Sequence, residues 1–383
     1  MDGAVETLCE DILRKNESEK NIEIDCVTLR DKEARKNFNK YPSTHFYELD
    51  FCVGNFADHF IRCINYISRK LFGINFRKAI REKQYEENMS FNEYDLIVFE
   101  GVNPFITEKI TQKIGKEKMI LHLHRVTEAT EEMSKVFGYF IGISNYVSNA
   151  FCKNGIVSPD RVYTVMNGIN LEKFNIEMND AEKVSLKEKC GIKQDETVFI
   201  YTGRLLEEKG VRELIKAFKM MPEKSKCRLI IVGSTFSGSS KQTKYSEELK
   251  EIAKGENVVF TGYIPNGELY KYYSISDVAV FPTISEEGFG LVAVEAMSKK
   301  LPLIVTNSGG MKEIVTDKCG LKVDIDEDLV KNLSKKMSML AKDKELRKRM
   351  GEEGYIESQK YSDRNYYNDF VDALEKIEKA SIK

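Results

Sequence analysis

The sequence predicts an α/β protein with two doubly wound domains, each built on a parallel sheet. Short apolar runs alternate with amphipathic stretches along the chain, which is the order that repeated βαβ units produce. The amphipathic stretches have helical periodicity, as Val211, Leu214 and Phe218 do within the predicted helix Glu208–Met221. A length of 383 residues allows two or three domains of ordinary size.

Eleven apolar runs are predicted as buried strands of parallel sheets. Five lie in the first half: Glu23–Leu29, Leu96–Phe99, Met119–His122, Gly138–Ile143 and Val162–Val165. Six lie in the second half: Val198–Tyr201, Arg228–Val232, Val258–Phe260, Val278–Phe281, Pro302–Val305 and Gly320–Val323. Ligands of such sheets bind beyond the carboxyl ends of the strands, so the residues that follow these runs are the first candidates for a site.

A charged stretch separates the two series. Residues 171–189 contain few strand formers, so a linker with a short helix is predicted there. After residue 361, apolar residues recur at helical spacing and no further strand is predicted. We therefore predict an N-terminal domain over residues 1–172, a C-terminal domain over residues 173–361, and a final helix over residues 362–383 that packs back on the N-terminal domain.

Composition excludes several classes of protein. With 42% hydrophobic and 31% charged residues, the chain can bury a core and does not resemble a disordered chain. Its 59 basic and 61 acidic residues nearly balance, which argues against a nucleic-acid partner. No apolar run approaches the ~18 residues of a membrane span, and the eight cysteines include no C-x-x-C pair. We expect a cytoplasmic protein with reduced thiols.

The first chemical motif, Gly203-Arg204…Lys209-Gly210, joins a predicted strand to a predicted helix. Gly203 permits a tight turn. The two cations can grip a diphosphate, Arg204 through its planar fork and Lys209 as a point charge. For this segment taken alone, a solvated charged loop is the alternative.

The second motif, Glu287-Gly288-Phe289-Gly290…Glu295, also joins a strand to a helix. Backbone N–H groups at a helix start favour anions. The carboxylates of Glu287 and Glu295 suit neutral hydroxyl groups, because carboxylates repel phosphate. A ligand with both phosphate and hydroxyl groups would use both features. The alternative for Glu295 is a salt-bridged helix glutamate.

The third motif, Gly309-Gly310…Glu313, again follows a strand and precedes a helix. Two adjacent glycines permit the backbone to approach a ligand closely. A simple tight connection is the alternative.

The order and spacing of these motifs resemble those of the family 4 glycosyltransferases, retaining enzymes with the GT-B fold of two facing Rossmann-like domains. The family pattern has a G-R-x4-K-G, an E-G-F-G-x4-E and a G-G-x2-E element, and this chain has all three in that order. Residues 260–265 and 272–277 also fit the family, and residues 165–170 resemble its interdomain V-x-N-G-[VI]-[DN] segment. The combined pattern is specific, although each glycine-rich piece alone is weak.

The resemblance implies a role for each motif residue. Arg204 and Lys209 would bind the pyrophosphate of a nucleotide sugar and stabilise the charge that develops on it. Glu287 would contact the donor sugar, and Glu295 would accept hydrogen bonds from the ribose hydroxyls. The donor site would also be lined by backbone groups of the two motifs: Gly203, Gly288, Phe289, Gly290 and Leu291.

No cofactor is implied, because the nucleotide sugar is itself a substrate. Two cations can neutralise the leaving diphosphate without a metal ion. We therefore expect no metal site, and the D-x-D segment Asp324–Asp326 is not interpreted as one.

The resemblance is weaker in the first half, where the acceptor would bind. The family often has a histidine at a strand end near the donor sugar, and His124 is the better match because it lies at the end of its strand. His122 shares the same strand face and is otherwise a core residue. Glu100, at another strand end, is a weaker candidate for contact with a saccharide or lipid-linked acceptor. The predicted catalytic residues are Arg204, Lys209, Glu287 and His124.

Residues 62–83 hold seven basic residues and one acidic residue, interleaved with aromatic and aliphatic residues. A solvated helix pair is the plainer interpretation. The sharper hypothesis is a peripheral contact with the inner membrane face that serves a lipid-linked acceptor.

The start of the sequence departs from the family pattern of a strand, a Gly-Gly-x-x-[ER] loop and a helix. Asp2-Gly3-Ala4-Val5-Glu6 matches the loop, where Gly3 would contact the acceptor, but the strand before it is missing. That strand would lie at or next to the centre of the N-terminal sheet. We expect a sequence truncated ahead of Met1, the alternative being another segment in the strand's place.

The sequence thus predicts a retaining glycosyltransferase that moves a sugar from a nucleotide donor, with UDP favoured, to a hydroxyl acceptor in polysaccharide or glycoconjugate synthesis. The alternative is a non-catalytic glycosyltransferase-like subunit that supports a partner enzyme. The missing strand favours that alternative, whereas the intact set of motif residues opposes it. A GT-B sugar-nucleotide epimerase would need a set of catalytic acids that the sequence does not show.

Overall fold

A computed structural model of the protein describes residues 4–29, 32–49, 94–101, 108–235 and 243–382. Within these ranges the strands are β1 (Ile24–Leu29), β2 (Thr44–Leu49), β3 (Ile97–Glu100), β4 (Met119–Leu123), β5 (Tyr139–Gly142), β6 (Val162–Thr164), β7 (Thr197–Thr202), β8 (Cys227–Val232), β9 (Val258–Gly262), β10 (Val278–Phe281), β11 (Leu303–Thr306) and β12 (Gly320–Val323). The α-helices are α1 (Ala4–Glu19), α2 (Lys32–Phe38), α3 (Glu108–Ile114), α4 (Glu131–Val136), α5 (Asn145–Cys152), α6 (Leu171–Phe174), α7 (Asp180–Lys189), α8 (Val211–Met220), α9 (Lys244–Ile252), α10 (Leu269–Ser274), α11 (Leu291–Ser298), α12 (Met311–Ile314), α13 (Leu329–Lys342), α14 (Lys344–Ser358) and α15 (Asp363–Ser381).

All eleven predicted strands are present, with ends that differ from the prediction by at most two residues. The strand that sequence reasoning missed is β2, whose run Thr-His-Phe-Tyr-Glu-Leu mixes polar and apolar residues. Among the described strands it pairs with β1 alone, and most of its residues are only half-buried or exposed. It therefore lacks the continuous apolar run of a strand covered on both faces.

The sheet of the second half has six parallel strands in the order β12-β11-β10-β7-β8-β9. The chain builds one side of this sheet from β7 to β9 and then crosses over, so that β10 lies against the other edge of β7. Where the strand order reverses in this way, a crevice opens at the carboxyl ends of the two central strands, and ligands bind there. The loops that follow β7 and β10 therefore meet at the expected position of a binding site.

The described residues of the first half form two parallel sheets, a pair β1-β2 and a four-stranded sheet β3-β4-β5-β6. A cavity of about 400 Å³ lies between β1 and β3 and is lined mainly by apolar residues of these strands, α1 and α15. At its edge, the Tyr94 hydroxyl donates to Asp25 Oδ2 at 2.6 Å. Among the described strands, none pairs with the edge of β1 or β3 that faces this cavity.

The chain forms two compact units. The first contains most described residues of 9–165 together with residues 367–382, and the second contains residues 166–366 with the short segments 4–8 and 144–147. None of the helices in the described part of the chain is both long and apolar enough to cross a bilayer.

The last helix, α15, begins and ends close to its predicted limits. Within the first unit, the Tyr367 hydroxyl donates to Asn16 Oδ1 at 2.6 Å, and Ser381 Oγ donates to the carbonyl of Glu117 at 2.8 Å. These two bonds attach both ends of the residue 367–382 segment to the first unit. The Tyr367 bond is buried, so its groups would be costly to leave unpaired.

Candidate functional site

The candidate site lies in the second unit, at the carboxyl ends of β7 and β10. Two loops meet there, the first-motif loop (residues 203–210) and the second-motif loop (residues 282–290). Gly210 has a φ of 68°, and a Cβ atom at this position would lie 1.9 Å from the carbonyl oxygen of Pro282. Glycine is required because it alone adopts this angle freely and leaves room for the contact. Gly210 thus lets the two motif loops touch.

The contact brings a cation and a carboxylate together. Lys209 Nζ lies 2.5 Å from Glu287 Oε2, and the two side chains are 21% and 23% exposed. Each group therefore neutralises the other while remaining accessible from the crevice. A ligand that carries a phosphate beside a hydroxyl group can bind here. The phosphate then binds Lys209, and the hydroxyl group donates a hydrogen bond to Glu287.

Arg204 supplies a second cation at the same crevice. It lies two residues beyond the end of β7, its side chain is exposed, and its guanidinium has no acidic partner among the described residues. Gly203, with a φ of 147°, turns the chain immediately before it. An exposed guanidinium that forms no ion pair can bind phosphate in a bidentate manner.

Glu295 is the buried acid of the site. It lies on α11 and is 5% exposed. The Tyr273 hydroxyl donates to Glu295 Oε2 at 2.9 Å and lies 2.6 Å from Thr202 Oγ1, while Asn266 Nδ2 lies 3.5 Å from Glu295 Oε1. Burial raises the pKa of Glu295 to about 7, although the hydrogen bonds from Tyr273 and Asn266 lower it. Because no cation faces it within the described residues, the salt-bridged alternative for Glu295 is wrong.

The third motif supports the second-motif loop. A Cβ atom at Gly309 would lie 2.0 Å from the carbonyl oxygen of Glu287, so the two glycines permit close approach to a neighbouring loop. This is the tight connection that the sequence left as the alternative. Three hydrogen bonds link alternate residues of the two segments: Thr306 Oγ1 to Thr283 O, Ser308 Oγ to Ser285 O, and Gly310 N to Glu287 O.

The second-motif loop ends in unpaired backbone amides at the start of α11, whose first residue is Leu291. Among the described residues, no acceptor takes the N–H groups of Phe289 and Gly290. Phe289 is 2% exposed and Gly290 is also buried. Buried N–H groups without a partner are rare in proteins, and at a helix start they favour an anionic ligand.

Glu100, His122 and His124 form a polar cluster in the first unit, at the carboxyl ends of β3 and β4. Strand register places Glu100 opposite His122, and Glu100 Oε2 lies 2.9 Å from His122 Nδ1 and 2.6 Å from His124 Nε2. Desolvation would raise the pKa of Glu100, but the two imidazoles outweigh it and hold the pKa well below its usual range. The acceptor candidates of β3 and β4 are thus neighbours.

The ligand atoms of this cluster all lie within 4.8 Å of one another, a set that could hold a divalent metal ion. A metal-bound histidine normally donates its second N–H to an acceptor. His122 Nε2 is buried and has no hydrogen-bond partner in the described part of the chain. His122 Nε2 lacks a partner whether or not a metal ion binds at Nδ1, so the expectation of no metal site remains a prediction.

Other predicted residues lie elsewhere. Gly3 and the basic stretch of residues 62–83 lie outside the described residues. Asp324 accepts a hydrogen bond from Asn307 Nδ2 at 3.0 Å, and Asp326 accepts one from the backbone N–H of Asp328 at 3.0 Å. Both carboxylates of the D-x-D segment thus have partners in nearby loops.

Sequence reasoning missed the residues that hold Glu295. The sequence pattern predicts Tyr273 to be a core residue, because it is an aromatic residue in a short amphipathic helix. It predicts Thr202 to be the end of a strand. The available signal was that Tyr273 falls within residues 272–277, which fit the family pattern. Its hydrogen bond to a carboxylate 22 residues away becomes evident only in three dimensions.

Comparisons with known proteins agree with this geometry. Residues 182–357 match the family model described as Glycosyl transferases group 1. An uncharacterized glycosyltransferase of Methanocaldococcus jannaschii is 32% identical over 176 residues, which cover 46% of this chain and 44% of that protein. The capsular polysaccharide biosynthesis glycosyltransferase CapM of Staphylococcus aureus is 27% identical over 290 residues, which cover 68% of this chain and 73% of that protein.

Solved structures extend the similarity to the whole chain. HepE of Anabaena, in complex with UDP-glucose, has a TM-score of 0.73 at 17% identity, and the match covers 98% of this chain and 97% of that chain. Solved structures named as glycosyltransferases match with TM-scores of 0.74 and 0.65, and the predicted GT-B fold is confirmed. In sequence, the chain spans less than half the length of the Methanocaldococcus relative.

Proposed function

We propose that the chain is a retaining glycosyltransferase of the group described as Glycosyl transferases group 1, whose family model matches residues 182–357. It moves a sugar from a nucleoside diphosphate to a hydroxyl group of an acceptor. The observation that supports this most is the meeting of two cations and two carboxylates at one crevice. These residues are Arg204, Lys209, Glu287 and Glu295.

Each charge in the crevice matches a part of such a donor. Departure of the nucleoside diphosphate leaves negative charge on its phosphates, which Arg204 and Lys209 stabilise. When Lys209 turns to the diphosphate, Glu287 is released to accept a hydrogen bond from a sugar hydroxyl. The diphosphate leaves from the face at which the acceptor hydroxyl enters, so the configuration at the anomeric carbon is retained.

The ribose of the donor binds at Glu295. Its carboxyl group is buried, and the Tyr273 hydroxyl occupies one of its oxygens. The other oxygen, Oε1, has only a long contact of 3.5 Å with Asn266, so it can accept a shorter bond from a ribose hydroxyl. HepE was solved with UDP-glucose, which makes a UDP-sugar the first donor to test.

The acceptor binds at the cluster of Glu100 and His124, where Glu100 holds the His124 ring by a bond of 2.6 Å. A saccharide or a lipid-linked saccharide is the expected acceptor, since CapM serves capsular polysaccharide biosynthesis. Peripheral contact with the inner membrane face through residues 62–83 remains a prediction. Liposome co-sedimentation with anionic lipid tests it, and no binding at low salt would contradict it.

A thermal-shift panel tests the donor class. Wild-type protein is heated with UDP-, GDP-, dTDP- and ADP-sugars, and we expect the UDP-sugar to raise the Tm most. At a concentration 100 times the Kd, binding to the native state alone adds about 2.7 kcal/mol to the free energy of unfolding. Glu295→Ala should abolish the shift, whereas Arg212→Ala, which removes an ion pair with Glu248 on α9, should retain it.

Two results would contradict the proposal. If no nucleotide sugar raises the Tm of the wild-type protein, the assignment of a donor site is wrong. If a donor binds but the purified protein neither hydrolyses it nor transfers its sugar, the chain is the non-catalytic subunit that the sequence left as the alternative.

A further inference from the structure

The second-motif loop is hydrogen-bonded to a further segment of the chain besides the third motif. After Glu287, whose carbonyl oxygen binds Gly310 N, the next carbonyl along the loop is that of Gly288. It accepts a hydrogen bond of 2.7 Å from Ser144 Oγ. Ser144 comes from a distant part of the sequence, yet it belongs to the same compact unit as this loop. The loop is therefore held by two separate segments.

Ser144 is fully buried, and its hydroxyl both donates and accepts a hydrogen bond. It donates to Gly288 O, and it accepts from the backbone N–H of Val147 at 3.1 Å, as the N-cap of α5 does. A buried hydroxyl with two partners has one preferred orientation. The Gly288 carbonyl is thus directed by a group that is itself fixed.

Fixing this carbonyl also fixes the next amide. The peptide bonds of the described chain are trans, and across a trans peptide the C=O and N–H groups point in opposite directions. With its carbonyl turned to Ser144, the Gly288–Phe289 peptide directs the Phe289 N–H away from Ser144. That N–H is one of the amides of buried residues at the end of the second-motif loop for which the described part of the chain offers no acceptor.

We propose that Ser144 is a positioning residue for the donor diphosphate. By holding the Gly288 carbonyl, it presents the Phe289 N–H to a phosphate oxygen beside Lys209. The inference rests on the proposed function, because it assigns an anionic ligand to the same crevice.

The two residues after Ser144 make contacts that hold the same arrangement. The backbone N–H of Asn145 donates to Glu313 Oε2 at 3.1 Å, which ties the start of α5 to the third motif. The Tyr146 hydroxyl donates to Glu286 Oε1 at 2.5 Å, which ties it to the second-motif loop. Three consecutive residues thus contact the two loops that shape the site, and Ser144 is the one bonded to the peptide that bears the free amide.

Binding of inorganic diphosphate, UDP and uridine, measured by calorimetry, tests this role. Ser144→Ala should weaken diphosphate and UDP about ten-fold, the effect of losing one hydrogen bond to a charged group, and leave uridine unchanged. Ser144→Gly should do the same, and it separates positioning from capping because glycine is a tolerated N-cap. Ser144→Thr, which keeps the hydroxyl, should restore binding.

The matched control is Ser148→Ala, a buried serine on the same helix whose hydroxyl bonds Thr164; it should bind all three ligands as the wild type does. If Ser144→Ala and Ser144→Gly fold but bind diphosphate normally, or lose uridine equally, the inference is wrong. If the Ser144 variants bind diphosphate more weakly than the wild type does, but the wild type transfers no sugar, the proposed function is wrong and the inference stands.

Discussion

Alanine at both Arg204 and Lys209 is expected to reduce sugar transfer by about 10²–10³-fold or more, since removal of a single transition-state charge contact has that effect. The diphosphate leaves with more negative charge than it has in the bound donor, so the two cations stabilise the transition state more than the ground state. The loss should therefore appear in kcat as well as in KM. Single-turnover transfer from a UDP-sugar measures it.

The two single variants should differ. Lys209 Nζ lies 2.5 Å from Glu287 Oε2, so Lys209→Ala removes a cation and also leaves the Glu287 carboxylate unneutralised beside the phosphates. Arg204→Ala removes only an exposed cation. We expect Lys209→Ala to lower donor affinity more than Arg204→Ala does. The double variant Lys209→Ala with Glu287→Gln should bind the donor more tightly than Lys209→Ala alone. A double-mutant cycle on donor binding measures the coupling.

The control for these variants is Arg212→Ala. Arg212 lies on α8, just after the first-motif loop. Its Nε lies 2.8 Å from Glu248 Oε1, and its guanidinium makes a longer contact of 3.9 Å with Glu207. It should retain transfer and differ little in Tm, because an exposed ion pair contributes about 0–1 kcal/mol to stability. Unchanged transfer by folded Arg204→Ala and Lys209→Ala variants would remove both residues from the mechanism.

The extent to which the sequence predicts the fold depends on how continuous each apolar run is. The eleven predicted strands lie in such runs, including β3, β6 and β9, whose residues are mostly half-buried. β2 was missed because it mixes polar and apolar residues, so its composition resembles a loop. The last helix was predicted because its apolar residues recur at helical spacing. Its hydrogen bond from Tyr367 to Asn16 could not be predicted, because it joins residues 351 positions apart in the sequence.

The candidate site likewise contains residues that could be predicted from the sequence and residues that could not. Gly203, Arg204 and Lys209 could be predicted because they lie close together in the chain, at a strand end, and match the family pattern. Contacts between distant segments have no such spacing. Tyr273 and Ser144 are examples, since each acts on the site through one hydrogen bond to a residue that lies far away in the sequence.

Glu295 gives the second large expected effect, a dependence of stability on pH. Burial raises its pKa from the ordinary 4.5 to about 7 in the folded protein. The folded state therefore holds this proton more tightly than the unfolded state. The resulting stabilisation is complete below pH 4.5 and is lost as pH rises to about 7, because above that pH the folded protein must keep a buried carboxylate charged. The difference is on the order of 3 kcal/mol.

Glu295→Gln should remove this dependence, because the amide keeps the shape and the hydrogen bond from Tyr273 but does not titrate. We expect the wild type to lose Tm between pH 5 and pH 8 relative to Glu295→Gln, measured by calorimetry without ligand. Tyr273→Phe is the matched variant. It removes a hydrogen bond that lowers the pKa of Glu295, so the loss should shift to higher pH.

Donor binding should change with pH in the opposite direction. A ribose hydroxyl donates more strongly to a carboxylate than to a neutral carboxyl group, so the KM of the wild type for its donor should fall as pH rises through about 7. The KM of Glu295→Gln should be higher and should not show this fall. If the wild-type KM does not change between pH 5.5 and 8.5 while its Tm does, Glu295 titrates but does not bind the ribose. We therefore expect the ionised Glu295 carboxylate to lower stability at neutral pH and to accept the hydrogen bond from the ribose of the donor.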